Sequence, residues 1–216
     1  QDTGAVMRSA PDRHFTVTET IRTGVFWLLF LVCLFSFAAE QMVIVHIVPY
    51  STAIGMSLVT ASLGLSALGM GSIFGRIISG SISDHIGRIP TQIMCCAIEA
   101  VGIFALLTIN GPLVLYAVMF FLGFGYGGWI VQGSLILGDV FGEKNLGMIT
   151  GIWFISGLPA GVLGPLMGGL IFDATGSYVL AILIAGGVCV LAFALSILIG
   201  PSQKRLLQTA AVSRGP

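Results

Sequence analysis

The sequence predicts an all-α membrane protein with six transmembrane helices. Hydrophobic residues make up 56% of the 216 residues and charged residues only 8%, whereas about a quarter of a soluble domain is charged. The mean hydropathy of +1.03 is correspondingly high. Six apolar runs are long enough to cross the hydrocarbon core of a bilayer, which takes roughly 20 helical residues. Short segments rich in turn-forming residues separate these runs.

Each predicted span is bounded by Pro, Gly, Asn, Asp or Ser. The predicted spans are 24–50, 58–82, 89–109, 112–137, 147–172 and 178–200. The turns between them are predicted at 49–52, 80–88, 110–112, 138–142 and 173–177. The first run is too long, too far into the chain and too polar in its middle for a cleaved signal peptide.

The polar segments at the two ends predict a three-part organisation. Residues 1–20 are expected to be a disordered cytoplasmic linker, 21–200 the six-helix transmembrane domain, and 201–216 a cytoplasmic tail. All nine Lys and Arg residues fall on one side of the predicted membrane or in the nearest half of a span, while Asp173 is the only charge in the opposite loops. Because cytoplasmic loops collect basic residues, both termini are expected in the cytoplasm of a multi-pass inner or plasma membrane protein.

Composition also excludes several classes of site. The formal net charge is zero, and no basic, aromatic-interleaved patch indicates nucleic-acid binding. The cysteines all lie in apolar runs without metal-ligand spacing, so we interpret them as small packing residues and predict no metal or cofactor. They are Cys33, Cys95, Cys96 and Cys189.

Glycine recurs at four-residue spacing, which places it along one helix face. There are 30 glycines, and such stripes let helix backbones approach closely in lipid. Close packing is the ordinary interpretation; helices that bend during a transport cycle are the functional alternative. The pairs are Gly71/Gly75, Gly123/Gly127, Gly157/Gly161 and Gly164/Gly168.

Arg76 is the strongest candidate for a binding residue. An arginine within a span costs several kcal/mol on most scales and therefore faces a cavity or a partner. Its planar guanidinium can hold a carboxylate through two hydrogen bonds, which suits an organic anion. Snorkelling towards the cytoplasm and a structural ion pair are the alternatives.

Other polar and aromatic residues within the spans are weaker candidates. Glu40 lies mid-span, where low dielectric favours the neutral carboxyl, and is a candidate for proton coupling or a structural acid. Glu99 is expected to be structural. The candidates for lining a solute pathway, with helix packing as the alternative, are His46, Tyr126, Trp129, Gln132 and Trp153.

The tract between the second and third spans carries a resemblance to a known family. Gly80, Asp84, Gly87 and Arg88 form the frame G-x-x-x-D-x-x-G-R, which resembles the signature loop of the major facilitator superfamily. From the residues themselves, the glycines would permit a close turn, Asp84 would favour a helix amino terminus, and Arg88 would lie at headgroup level. A topology anchor is the plainer role for Arg88.

Further segments resemble the carboxy-terminal half of monocarboxylate and oxalate/formate carriers. These are FWLL at 26–29, VHIVPY at 45–50, DVFG at 139–142, NLG at 145–147, GP at 164–165 and FDATGSY at 172–178. The resemblance implies one six-helix half of a twelve-helix secondary transporter, a symporter or antiporter working by alternating access. An amino-terminal half would then be a missing partner, and the signature loop would dock on it.

The resemblance also implies a small organic anion as substrate, with protons as a possible coupling ion. Related carriers place an arginine at the position of Arg76. The acid that monocarboxylate carriers set one turn earlier is Ser72 here, and the lysine of oxalate carriers aligns with Trp153. A single cation favours a monoanion over a dianion.

Three alternatives remain beside an organic-anion carrier. One is a carrier of a non-anionic solute, and another is a six-helix unit that pairs as a channel or binding module. The third, an intramembrane serine protease, is disfavoured because Phe154 stands where glycine is needed before Ser156 and no histidine follows His85.

Overall fold

The computed structural model describes residues 15–212, and within that range it contains six helical segments long and apolar enough to cross a membrane. This confirms the all-α fold with six spanning helices. The helices are α1 Val17–Ile21, α2 Gly24–Ala53, α3 Leu58–Ile86, α4 Arg88–Ala105, α5 Pro112–Phe141, α6 Leu146–Phe154, α7 Gly157–Thr175 and α8 Val179–Val212. A 3₁₀ turn, Leu106–Thr108, extends α4.

Local sequence signals explain where the spanning helices begin. The Thr23 hydroxyl accepts a hydrogen bond from the Phe26 N–H at the start of α2, and Ser57 caps α3 in the same way through Thr60. Pro112 is the first residue of α5, where the missing N–H costs no helical hydrogen bond. These caps satisfy backbone donors that lipid cannot satisfy.

The turn predicted at 80–88 is wrong in its extent. Helix α3 runs on to Ile86 and α4 begins at Arg88, so only Gly87, at φ +96°, leaves the helical conformation. Gly80 and Asp84 are helical, and Asp84 lies in the last turn of α3 rather than at an amino terminus. The Ser83 hydroxyl donates to the Gly80 carbonyl at 2.7 Å, so a polar side chain is satisfied within the continuing helix.

The predicted fifth span is a broken helix made of α6 and α7. The break lies at Ile155 and Ser156, which are four and three residues before Pro159. Proline has no N–H, and its ring would clash with the carbonyl four residues back, which here belongs to Ile155. The Ile155 carbonyl instead accepts a hydrogen bond from the Leu158 N–H, three residues on, at 3.0 Å. This shorter 3₁₀-type turn connects α6 to α7.

The six spans pack as two related groups of three. Extensive contacts join α3 to α5, α4 to α5, α2 to α7, α2 to α8, and α4 to α8. The first group is α2, α3 and α4, and the second group is α5, α6–α7 and α8. If each span is replaced by its counterpart in the other group, the α3–α5 contact becomes the α7–α2 contact, and the α4–α8 contact becomes itself. This is the packing of an internal three-helix repeat, as found within each half of major facilitator transporters.

Glycine pairs form the closest helix contacts. A Cβ on Gly71 or Gly75 of α3 would overlap the backbone of α5, and one on Gly123 or Gly127 of α5 would overlap that of α3. Gly164 of α7 meets the backbone of α2 at Ala38. These contacts support the packing interpretation for the Gly71/Gly75 and Gly123/Gly127 pairs, whereas a Cβ on Gly157 or Gly161 would meet only the Phe37 side chain.

The two ends of the chain are described only in part. Phe15 donates its N–H to the Phe141 carbonyl, and Thr16 caps the start of α1 through a capping box closed by Glu19. At the other end α8 continues through Pro201 to Val212, so the described part of the predicted tail is helical. Residues 1–14 and 213–216, with most of the predicted linker, lie outside the described residues.

Candidate functional site

Arg76 lies on the exposed face of α3. Its neighbours Gly75 and Ser79 are buried towards α5, whereas Arg76 and Ile77 are exposed. Within 15–212 the guanidinium makes no ion pair or hydrogen bond, and its electrostatic interaction is with the Tyr126 side chain. The positive charge of Arg76 is therefore accessible to a ligand on this face, about 12 Å along the helix from Asp84.

Tyr126 connects this face with the interior of the bundle. The phenol ring is half-buried on α5, with its centroid 6.4 Å from that of Phe37 and 6.0 Å from that of Trp129. It interacts electrostatically with Glu40 as well as with Arg76. Arg76 and Tyr126 are the two predicted binding residues that the structure brings together at an accessible surface.

Trp129, Gln132 and Trp153 are instead buried among the helices. The Gln132 amide donates to the Ser79 carbonyl at 3.0 Å, and the Trp153 indole donates to the Leu29 carbonyl at 2.9 Å. These bonds tie α5 to α3 and α6 to α2, so the structure favours helix packing over solute contact for these side chains.

His46 lies towards the other end of the bundle. Its Nε2 is 2.9 Å from the Pro165 carbonyl, and its ring packs 5.2 Å from that of Tyr178. His46 therefore joins α2 to α7 at a proline inside that helix. Among the described residues, no cluster of three His, Cys, Asp or Glu side chains could hold a metal ion.

Replacing Trp153 with phenylalanine tests its packing role. The side chain is 1% exposed, and its indole occupies space that a Cβ on Gly133 would enter, 2.6 Å from the ring. Loss of the hydrogen bond and of buried ring volume should destabilise the protein by about 1–3 kcal/mol. Thermal unfolding in detergent measures the loss.

Trp27→Phe is the matched control, because the Trp27 indole also donates to a backbone carbonyl, at 2.8 Å, but its side chain is 47% exposed. It should unfold near the wild-type temperature. Equal losses in the two variants would contradict a special packing role for Trp153.

Glu40 and Glu99 are both completely buried. Glu40 is on α2 and Glu99 on α4, and the two carboxyl groups interact electrostatically. None of their four oxygens has a hydrogen-bonding partner among the described residues. The Glu99 carboxyl faces Ser36, Trp129 and Cys189.

The signature residues cluster at the end of the bundle where α3 meets α4. The Arg88 guanidinium donates to the Ser83 hydroxyl at 2.8 Å and lies 3.5 Å from an Asp84 carboxylate oxygen and 3.6 Å from one of Asp139. Arg88 thus joins the ends of α3 and α5. Asp84 keeps 67% of its side chain exposed, which leaves it accessible to a partner.

Two features of these sites escaped sequence reasoning. Asp139 appeared only within a family segment, and its pairing with Arg88 depends on the ends of α3 and α5 meeting. Ser36 gave no signal at all, because an isolated serine in an apolar helix is ordinary. One signal was present for Asp139: an acid at the same predicted membrane face as Arg88.

One cavity of the described structure lies away from Arg76. It is an apolar groove of about 190 Å³ between α2, α7 and α8, lined by residues such as Ala38, Gly164 and Ala185. Its walls offer almost no polar group, so it cannot recognise an anion.

Comparison with known proteins agrees with this architecture. The sequence profile of the Major Facilitator Superfamily matches residues 29–213. The chain is 33% identical over 149 residues to monocarboxylate transporter 12 of Xenopus laevis, covering 66% of this chain and 32% of that protein. It is 25% identical over 196 residues to the oxalate:formate antiporter of Oxalobacter formigenes, covering 90% and 47%.

A third relative is MFS transporter asaE of Aspergillus flavus, 28% identical over 137 residues, covering 62% of this chain and 30% of that protein. The chain therefore spans about a third to a half of the length of these curated relatives. The matched range includes all six spanning helices but the first five residues of α2. This multi-pass membrane chain belongs to the Major Facilitator Superfamily.

Proposed function

We propose that the chain is one six-helix half of a secondary transporter that moves small, monocarboxylate-like organic anions by alternating access. The observation that carries the proposal is Arg76, a cation in the body of a spanning helix with no anionic partner among residues 15–212. Tyr126 lies beside it with a phenol that can donate a second hydrogen bond to a carboxylate. The named activities of the monocarboxylate and oxalate:formate relatives point to the same class of solute.

The surroundings of Arg76 favour a monoanion. The next arginine or lysine along the chain is Arg88, which is held by Asp84 and Asp139 at the end of α3. Trp153, where oxalate carriers have lysine, is buried and bonded to Leu29. Among residues 15–212, a dianion would thus meet Arg76 as the one cation without an anionic partner in the body of a spanning helix.

The exposed faces of α3 and α7 would pack against a second six-helix half. Both helices present large apolar side chains, among them Ile73, Ile77, Leu158 and Val162. The signature residues Gly80, Asp84, Gly87 and Arg88 would dock on that half in one conformation. By the positive-inside rule, the end of the bundle that carries Arg88 and both termini would lie on the cytoplasmic side of the cell membrane.

Proton coupling through a buried acid is part of the proposal. Glu40 is buried within α2 and interacts with Tyr126, which in turn interacts with Arg76. The proton held at the buried site that includes Glu40 can therefore respond to an anion at Arg76.

Uptake into proteoliposomes containing the full-length protein tests the function. Radiolabelled monocarboxylates should accumulate, oxalate should be taken up less, and a neutral solute of the same size should not compete. Protein-free liposomes provide the control. Uptake of the neutral solute alone would replace the proposal with a carrier of non-anionic solutes.

A further inference from the structure

The buried carboxyl groups of Glu40 and Glu99 form a pair that the proposed anion site at Arg76 does not by itself explain. They are 0% exposed, on α2 and α4, and they interact with each other. Their oxygens lack hydrogen-bonding partners among the described residues. A buried polar group without a partner costs about 1–3 kcal/mol of stability in proteins. This pair therefore destabilises the fold, and such a group calls for a functional explanation.

The described groups around the pair include no cation. The titratable groups that face it are Tyr126 from α5 and the four cysteine thiols of α2, α4 and α8. Among these groups, Arg76 interacts with Tyr126. Two ionised carboxylates without a counter-ion in low dielectric are strongly unfavourable, because each charge is desolvated and repels the other.

The two acids differ in the donors that face them. The Glu99 carboxyl faces the Ser36 hydroxyl, the Trp129 indole N–H and the Cys189 thiol. The Ser36 and Trp129 side chains are both completely buried, and neither makes a hydrogen bond that satisfies its polar atom within 15–212. An N–H can only donate, so Trp129 requires an acceptor, and Glu99 is the acceptor it faces. Nothing comparable surrounds Glu40.

We propose that Glu40 and Glu99 form a proton-binding site inside the six-helix unit, in which Glu99 releases and rebinds the proton while Glu40 stays protonated. The Ser36 and Trp129 donors stabilise the Glu99 carboxylate once its O–H bond has broken. The neutral Glu40 beside it adds no second charge. The exchanging group is therefore an acid for which the sequence indicates only a structural role.

Tyr126 provides the way out for the proton. It interacts with Glu40, Glu99 and Arg76, and its ring is half-buried between the interior and the exposed face of α3. A phenol can accept a proton from one side and pass its own to the other, so no net charge stays on Tyr126. The site itself does not depend on which solute the protein carries.

Infrared spectroscopy of the full-length protein in lipid tests the proposal directly. The wild type is expected to show a carboxylic-acid C=O band at neutral pH that diminishes as the pH is raised. Glu99→Gln should abolish the component of the C=O band that changes with pH and leave the constant component that Glu40 contributes. Glu40→Gln should remove the constant component. Glu143→Gln, a change in an exposed carboxylate of the α5–α6 connection, should alter neither.

Trp129→Phe keeps the site testable even if Glu99→Gln does not fold. Removal of the indole donor disfavours the ionised form, so the titrating band should persist to higher pH than in the wild type. An unchanged titration would overturn the proposal, as would a band that Glu99→Gln leaves intact. Loss of the band on adding sodium at constant pH would assign the site to a metal cation and overturn it too. Uptake is not measured in this experiment, so failure of the proposed anion transport leaves its result unaffected.

Discussion

Replacing Arg76 with alanine is expected to abolish monocarboxylate uptake. Arg76 makes no ion pair with the described residues, and it would hold the carboxylate through two charge-assisted hydrogen bonds. Hydrogen bonds to charged groups contribute about 1.5–3 kcal/mol each, so losing both should lower apparent affinity by at least about a hundredfold. Initial uptake rates over a range of solute concentrations in proteoliposomes measure the loss.

Two further variants separate the charge from the geometry at Arg76. Arg76→Lys should restore uptake only in part, because an ammonium cannot form the planar two-bond fork. Lys144→Ala, which removes an exposed positive charge in the α5–α6 connection, should transport like the wild type. If Arg76→Ala also transports normally, Arg76 has no role in the mechanism.

Replacing Gly71 with alanine is expected to destabilise the whole bundle. The new Cβ would overlap the Phe120 carbonyl of α5, and a backbone atom cannot move aside as a flexible side chain can. Overpacking of this kind typically costs about 1–3 kcal/mol, and a backbone clash should reach the upper end or exceed it. Thermal unfolding of the detergent-solubilised protein, read by tryptophan fluorescence, should show a clearly lower midpoint.

Gly187→Ala is the matched control for this change. Gly187 is also within a spanning helix, α8, but it is exposed and a Cβ there would meet no atom within 4 Å. Alanine is the better helix former by about 1 kcal/mol, so this variant should be as stable as the wild type or more so. A Gly71→Ala protein that unfolds at the control temperature would disprove close backbone contact between α3 and α5.

Helix positions were predictable because the bilayer imposes a length and a composition on each span. The predicted start of α5 at Pro112 agrees with the structure. The ends were less predictable, since Gly80 and Asp84 have turn-forming character but continue α3. Backbone groups near lipid are stabilised by every additional helical hydrogen bond. Helix α3 therefore continues past the weak turn-forming residues and ends only at Gly87.

Contacts between residues distant in sequence were harder to predict. The pairing of Glu40 with Glu99 depends on how α2 and α4 face each other, and neither local periodicity nor hydropathy encodes that rotation. The same holds for Trp153, whose aromatic character fits a solute pathway as well as the packing contact with Leu29 that the structure shows.

The sequence by itself determined that this is a six-span membrane protein, which stretches cross the bilayer, and that its signature turn and Arg76 resemble those of a major facilitator carrier. These properties depend on composition and on short motifs, both of which are local. Only the tertiary structure decided that Arg76 is on an exposed face, that Trp129 and Gln132 are buried, and that two acids meet inside the bundle. Burial depends on how the helices face one another, including the glycine contacts between α3 and α5 and between α2 and α7, and those orientations arise only when the helices pack together.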